Sequence, residues 1–166
     1  MPALIRPDRV AEVVRRAHDG FHVDYVGTLN SGELDTTIFS IVSKLAIPGA
    51  KARLFGGALD PEMMQARAEM PDLSRVEIGG FTENIAEIFS TTDVFAYPVA
   101  ETSYGGADLA LQEAMLAGLP VVIYADRGSS HFVENMKTGL VVANAEEFVA
   151  AIERLYRGPK QVELFS

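Results

Sequence analysis

The sequence predicts an α/β fold, a parallel sheet with helices on both faces, from three observations. Short apolar runs of strand length alternate with amphipathic helical stretches along nearly the whole chain. Several of the helical stretches open on a capping signal or close on glycine or proline. The 166 residues, 48% hydrophobic and 22% charged, match the averages of soluble globular domains and suffice for one buried core without staples.

Taken in order, residues 7–18 carry Val10, Val13, Val14 and Ala17 on one helical face, and Gly20 stops that helix. Residues 22–29 read as a strand. Asn30 with Glu33 offers a capping box, and Leu34, Ile38, Ile41, Val42 and Leu45 make the stripe of a helix that Pro48-Gly49 ends. Residues 51–55 are a strand closed by Gly56-Gly57. Asp60-Pro61-Glu62 is a helix start, with a cap residue, a proline at the first helical position and then an acid. Residues 75–78 read as a strand, 82–90 as a helix, 94–97 as a strand, 106–117 as a helix and 120–124 as a strand. A short helix over 130–134 precedes a strand at 140–142. Asn144 with Glu147 then opens a helix bearing Phe148, Val149, Ile152, Leu155 and Tyr156. Residues 1–20 therefore read as an N-terminal helix and connector, 21–158 as a Rossmann-like domain, and 159–166 as a tail. Ligands of such sheets sit at the carboxyl ends of the strands. The loops after Thr28, Gly57, Gly80, Pro98 and Ala125 are the places to search.

Composition removes several chemistries. Cysteine is absent, so disulfides, thiolate metal sites and cysteine nucleophiles are excluded. His18, His22 and His131 read as scattered and without ligand spacing, so no metal is expected. Fourteen basic against 23 acidic residues give a net charge of −9, which repels a phosphate backbone and argues against a nucleic-acid partner. No apolar run reaches the length of a membrane span, and the N-terminus lacks a signal-peptide pattern, so a cytoplasmic location is expected.

Residues 94–124 are the most informative stretch. A strand enters a loop, Gly105-Gly106 turns it, and a helix follows that is apolar on every side from Leu109 to Ala117 except at Gln112 and Glu113. A helix apolar all round is buried, and a buried carboxylate needs partners. Sugar or ribose hydroxyls would serve Glu113; so would nearby backbone groups or a wet helix edge. The glycines at 105 and 106 permit backbone N–H groups to approach a phosphate at the helix start, or simply make a tight turn. Asp108, in the first helical turn, suits the helix dipole and opposes an anion there.

The run 112–122 (Gln-Glu-Ala-Met-Leu-Ala-Gly-Leu-Pro-Val-Val), followed by Phe132-Val133-Glu134 and Thr138-Gly139-Leu140-Val141-Val142, resembles the C-terminal, donor-binding domain of group 1 retaining glycosyltransferases of the GT-B fold. Val26-Gly27-Thr28-Leu29, Arg53-Leu54-Phe55-Gly56-Gly57, Ile78-Gly79-Gly80-Phe81 and Asp93 to Pro98 fall in the family's order, and the match covers about residues 22–157. The resemblance implies one half of a GT-B fold and a nucleotide-sugar donor as substrate, with no cofactor or metal. It also implies a partner N-terminal Rossmann domain for the acceptor, for which 166 residues have no room; the isolated domain is expected to be inactive. By position, Glu113 matches the family glutamate that holds the ribose hydroxyls. Gly105, Gly106 and Ala107 match the loop facing sugar and diphosphate, with Gly27 and Thr28 at the first strand's end.

Three positions depart from the family pattern. Its first glutamate falls at Gly105, and Glu101 is the nearest acid that substitutes as the catalytic carboxylate. Its first-strand arginine falls at Thr28, and its lysine falls near Glu33. Arg127, Arg53 and Lys137 are candidates to compensate, each with a salt-bridge role as the alternative reading. Losing both cations leaves a second hypothesis, a domain that keeps the fold as a binding or assembly module. A third is half of a nucleotide-sugar 2-epimerase, although Gly106 and Glu113 stand too far apart for that pattern.

Overall fold

The computed structural model describes residue 10 and residues 13–101, 109–125, 127, 133, 135 and 139–158. Six parallel strands form one sheet in the order β3-β2-β1-β4-β5-β6. The strands are β1 (Phe21–Val26), β2 (Ala50–Phe55), β3 (Val76–Gly80), β4 (Val94–Tyr97), β5 (Val121–Tyr124) and β6 (Leu140–Val142). Between and after them run helices α1 (Thr37–Lys44), α2 (Pro61–Ala68), α3 (Ile85–Phe89), α4 (Leu109–Leu116) and α5 (Ala145–Arg157). The expected Rossmann-like architecture is present. The interior strands β4 and β5 are buried along their whole length, as a sheet covered on both faces requires. The order reverses between β1 and β4. Right-handed crossovers to β2 on one side and β5 on the other put α1 and α4 on opposite faces. Helix α5 packs against α1 and over β5 and β6.

Local signals set most helix starts. Asp60 caps α2 through Met63 N–H (3.0 Å), with Pro61 first in the helix. Asn144 caps α5 through Glu147 N–H (2.9 Å). Asn84 caps α3 through Glu87 N–H (3.3 Å), so the helix begins at Ile85, three residues after the start expected at 82.

Two elements differ from expectation because tertiary partners outbid local pattern. Residues 13–18 carry no regular secondary structure, in place of the expected helix over 7–18. The C-terminal carbonyls of α3 need donors, and this segment provides them. Arg16 N–H donates to Ser90 O (2.8 Å) and Arg15 Nη1 to Phe89 O (2.6 Å). Val14, assigned to the buried face of that helix, is 69% exposed. Helix α1 begins at Thr37 rather than just after Asn30. Asn30 O accepts from Glu33 and Leu34 N–H, so a turn forms there, but Leu34 then leaves to bridge Val99. The short helix expected over 130–134 and the tail at 159–166 lie outside the described residues.

One ionic group sits inside the sheet. Asp24, in the middle of β1, is 0% exposed. Arg53 on β2 grips it with two hydrogen bonds, Nε to Oδ1 at 2.8 Å and Nη2 to Oδ2, and Thr92 Oγ1 donates to Oδ2. Burial pushes the Asp24 carboxyl above its ordinary value; the Arg53 hydrogen bond and charge, and the Thr92 hydroxyl, offset only part of that rise.

Candidate functional site

The carboxyl ends of β1, β2 and β3 open into a crevice of about 790 Å³. It lies beside the reversal of strand order, where ligands of such sheets bind. Backbone steps link its walls: Gly27 N–H donates to Phe55 O (3.0 Å) and Gly56 N–H to Gly80 O (2.9 Å). These links bring the first two loops so close that a Cβ on Gly56 would overlap the Gly27 carbonyl oxygen. Gly57 faces open space instead, with nothing within 4 Å of a Cβ placed there.

Asp60 ties two of the loops together. Its Oδ2 accepts from Ser31 N–H (3.0 Å) and Ser31 Oγ (2.7 Å), while Oδ1 caps α2. Those bonds, the Ser31 and Met63 amides first, hold its carboxyl below the ordinary value of 3.8. A depressed carboxylate contributes stability above its unfolded pKa and loses it as pH falls through the folded value. Asp60→Ala is therefore expected to lower the melting temperature by a few degrees at pH 7. The gap from the parent chain should close as thermal melts are repeated toward pH 3.

On the other side of the reversal, the β4 end is locked to the segment before α1. Asp35 N–H donates to Pro98 O and Ala100 N–H to Glu33 O, each at 2.8 Å. Arg127 crosses above β5, donating to Val99 O (2.7 Å) and Asp35 Oδ2 (3.0 Å), with its guanidinium 4.6 Å from the Tyr124 ring. It reaches Glu101 Oε1 at 3.4 Å.

The sequence-predicted residues fall in different places. Gly27 and Thr28 line the crevice. Glu101 is exposed at the end of the β4 loop, against Arg127. Glu113 lies in α4, 1% exposed, and has partners within the protein, as does Gln112; it is not among the residues lining the crevice. Gly105, Gly106 and Ala107 lie outside the described residues, as do Asp108 and Lys137. Neither Arg53 nor Arg127 reaches the crevice: one is the buried partner of Asp24, the other is held by Asp35, Val99 and Glu101.

Sequence reasoning missed two parts of this region. Phe81 lines the crevice and is 79% exposed. Its signal was an aromatic residue directly after a strand-ending glycine, where no core position called for one. The Asp60–Ser31 tether had no signal, because it joins loops 29 residues apart. Two of the histidines read as scattered need correction, while His131 lies outside the described residues. His18 and His22 stack with centroids 4.1 Å apart beside Asp93, because the chain turns at Gly20 (φ 75°) between them. This group sits at the amino ends of β1 and β4, the far end of the sheet from the crevice.

The family described as "Glycosyl transferases group 1" matches residues 20–158. No curated protein sequence matches the chain. Among solved structures, Anabaena HepE in complex with UDP-glucose is similar at TM-score 0.77 and 21% identity, over 89% of this chain and 42% of that one. WaaG, a glycosyltransferase involved in lipopolysaccharide biosynthesis, is similar at TM-score 0.78 and 18% identity, over 99% and 49%. Sucrose-phosphate synthase from Thermosynechococcus elongatus is similar at TM-score 0.73 and 23% identity, over 97% and 42%. The chain thus spans less than half the length of each of these structures. Among the described residues, no helix is long and apolar enough to cross a membrane.

Proposed function

We propose that this chain, which belongs to the group 1 glycosyltransferases, binds the nucleoside diphosphate of a nucleotide-sugar donor in the crevice at the ends of β1, β2 and β3. The observation that carries this reading is that open crevice beside the strand-order reversal, in a family whose structural relative HepE is solved with UDP-glucose. In the whole enzyme the sugar passes to an acceptor held by a partner domain. The protein's part is chiefly to steady the leaving diphosphate electrostatically.

Two roles rest on placement. Phe81 offers a ring face at the crevice rim on which a nucleobase can stack, a contact worth about 1–3 kcal/mol. Thr28 offers a hydroxyl at the end of β1. Three further roles rest on the family resemblance alone, since neither Glu113 nor Glu101 lines the crevice and 105–107 lie outside the described residues: Glu113 for the ribose hydroxyls, the amides of 105–107 for the diphosphate, and Glu101 as the carboxylate that faces the sugar.

Calorimetric titration with uridine, guanosine and adenosine diphosphates tests this. One of them is expected to bind, and Glu113→Ala is expected to weaken it about tenfold or more, the value of a hydrogen bond to a charged group at about 1.5–3 kcal/mol. Equal binding by Glu113→Ala removes that residue's role. Absence of binding by the parent chain overturns the reading.

One observation favours a second reading, a domain serving as a binding or assembly module. Among the described residues lining the crevice there is no lysine or arginine, and Glu83 brings an acid. On that reading no nucleotide sugar raises the melting temperature, whereas any ligand of the native state must.

A further inference from the structure

The amino end of the sheet carries a second cluster with ligand chemistry, unconnected to the donor reading. One ring nitrogen from each of His18 and His22 and a carboxylate oxygen of Asp93 lie within 4.8 Å of one another, all half-buried. Each imidazole is already oriented by a backbone carbonyl. His18 Nδ1 is 3.0 Å from Asp19 O, and His22 Nδ1 is 2.8 Å from Thr91 O. A carbonyl accepts only, so each Nδ1 carries a hydrogen and Nε2 is the atom each ring can offer a metal; His18 Nε2, which faces Asp93 Oδ2, would exchange that contact for the ion. Carbonyl contacts of this kind orient metal-ligating histidines, but the two rings are stacked 11° from parallel, so one must turn about its Cβ–Cγ bond before both nitrogens meet a single ion.

The carboxylate is oriented too, since Asp93 Oδ2 accepts from His22 N–H (2.8 Å). It stands 3.0 Å from His18 Nε2. Two ligand atoms on a tetrahedral ion with bonds of about 2.0–2.2 Å are about 3.3 Å apart, so this pair needs almost no movement. Two charges oppose a cation here. Arg15 Nη2 lies 3.6 Å from Asp93 Oδ1, on a half-exposed side chain that can swing away, and the charge of Arg53 reaches His22.

We propose that His18, His22 and Asp93 bind one borderline divalent cation of the zinc class, clasping the segment before β1 to the amino end of β4. Two imidazoles and a carboxylate are the donor set such ions prefer, with a fourth position left for water.

The test uses the untagged 166-residue chain. Zinc titrated in a calorimeter is expected to bind one per chain. His18→Gln and His22→Gln, each checked for folding by circular dichroism, are expected to weaken it about tenfold or more, while His131→Gln changes nothing. Ring proton spectra of the parent chain give a readout that needs no variant, because zinc should shift two of the three histidines. Absence of binding at about 1 mM zinc, unchanged affinity in His18→Gln, or a zinc-induced shift confined to the third histidine would overturn the proposal.

Discussion

Arg53→Leu is expected to cost about 3–5 kcal/mol, because it leaves Asp24 as a charge inside the sheet with no cation beside it. For a chain of this size the melting temperature should fall by about 6–20 °C. Breaking the pair is costly; replacing it is not. Asp24→Val combined with Arg53→Leu removes both charges from the middle of two strands, and the double variant should recover most of the loss. The pH dependence gives a second check. Without Arg53, burial dominates and pushes the Asp24 carboxyl further up. A raised carboxyl costs the folded state nothing below its unfolded value near 3.8, and the cost grows as pH rises from there toward its folded value, where it levels off. The deficit of Arg53→Leu against the parent should therefore be small near pH 4 and clearly larger at pH 7. A deficit independent of pH would show that lost packing of the arginine stem, rather than an uncompensated carboxylate, is responsible.

Gly56→Ala is expected to have the largest effect of any single methyl group added to the crevice. The new Cβ would overlap the Gly27 carbonyl oxygen, a backbone atom that cannot rotate away, so the ends of β1 and β2 must separate. Overpacking of this kind costs about 1–3 kcal/mol and occasionally more. It also breaks the Gly27 N–H to Phe55 O bond that sets the crevice width. Nucleotide affinity, if the crevice is the donor site, should fall along with stability. Gly57→Ala is the control: its Cβ meets nothing, so stability should stay within about 0.5 kcal/mol. Thermal melts of the two variants check the contrast, and comparable destabilisation by both would refute the close-approach argument.

Much of the fold was legible because its signals are local. Asp60-Pro61 and Asn144–Glu147 state helix starts within four residues, and the runs 94–97 and 140–142 coincide with β4 and β6. The site was less legible. Gly27 and Thr28 were found from the strand-end rule and do line the crevice. Glu113 was recognised as a buried carboxylate from the oily helix around it, and it is buried. Phe81 was quoted within a family motif but not weighed as a site residue, because its exposure at the crevice depends on where the ends of three strands meet. Arg53 and Arg127 were weighed as phosphate partners, but each is taken by an acid distant in the chain.

By itself the sequence determined the alternation of strands and helices, the caps that begin α2 and α5, the absence of thiol chemistry and the family resemblance. These rest on residue spacing and on groups a few positions apart, whose contacts form whatever the rest of the chain does. Only the tertiary structure decided that residues 13–18 forgo a helix to satisfy the carbonyls of α3, that Asp24 is neutralised inside the sheet, and that His18, His22 and Asp93 meet at one end of it. Each of these depends on a partner roughly 30 to 75 positions away, brought near by the parallel sheet. The unmet need of a buried polar group is settled by whichever partner the fold delivers, and spacing along the chain does not record that.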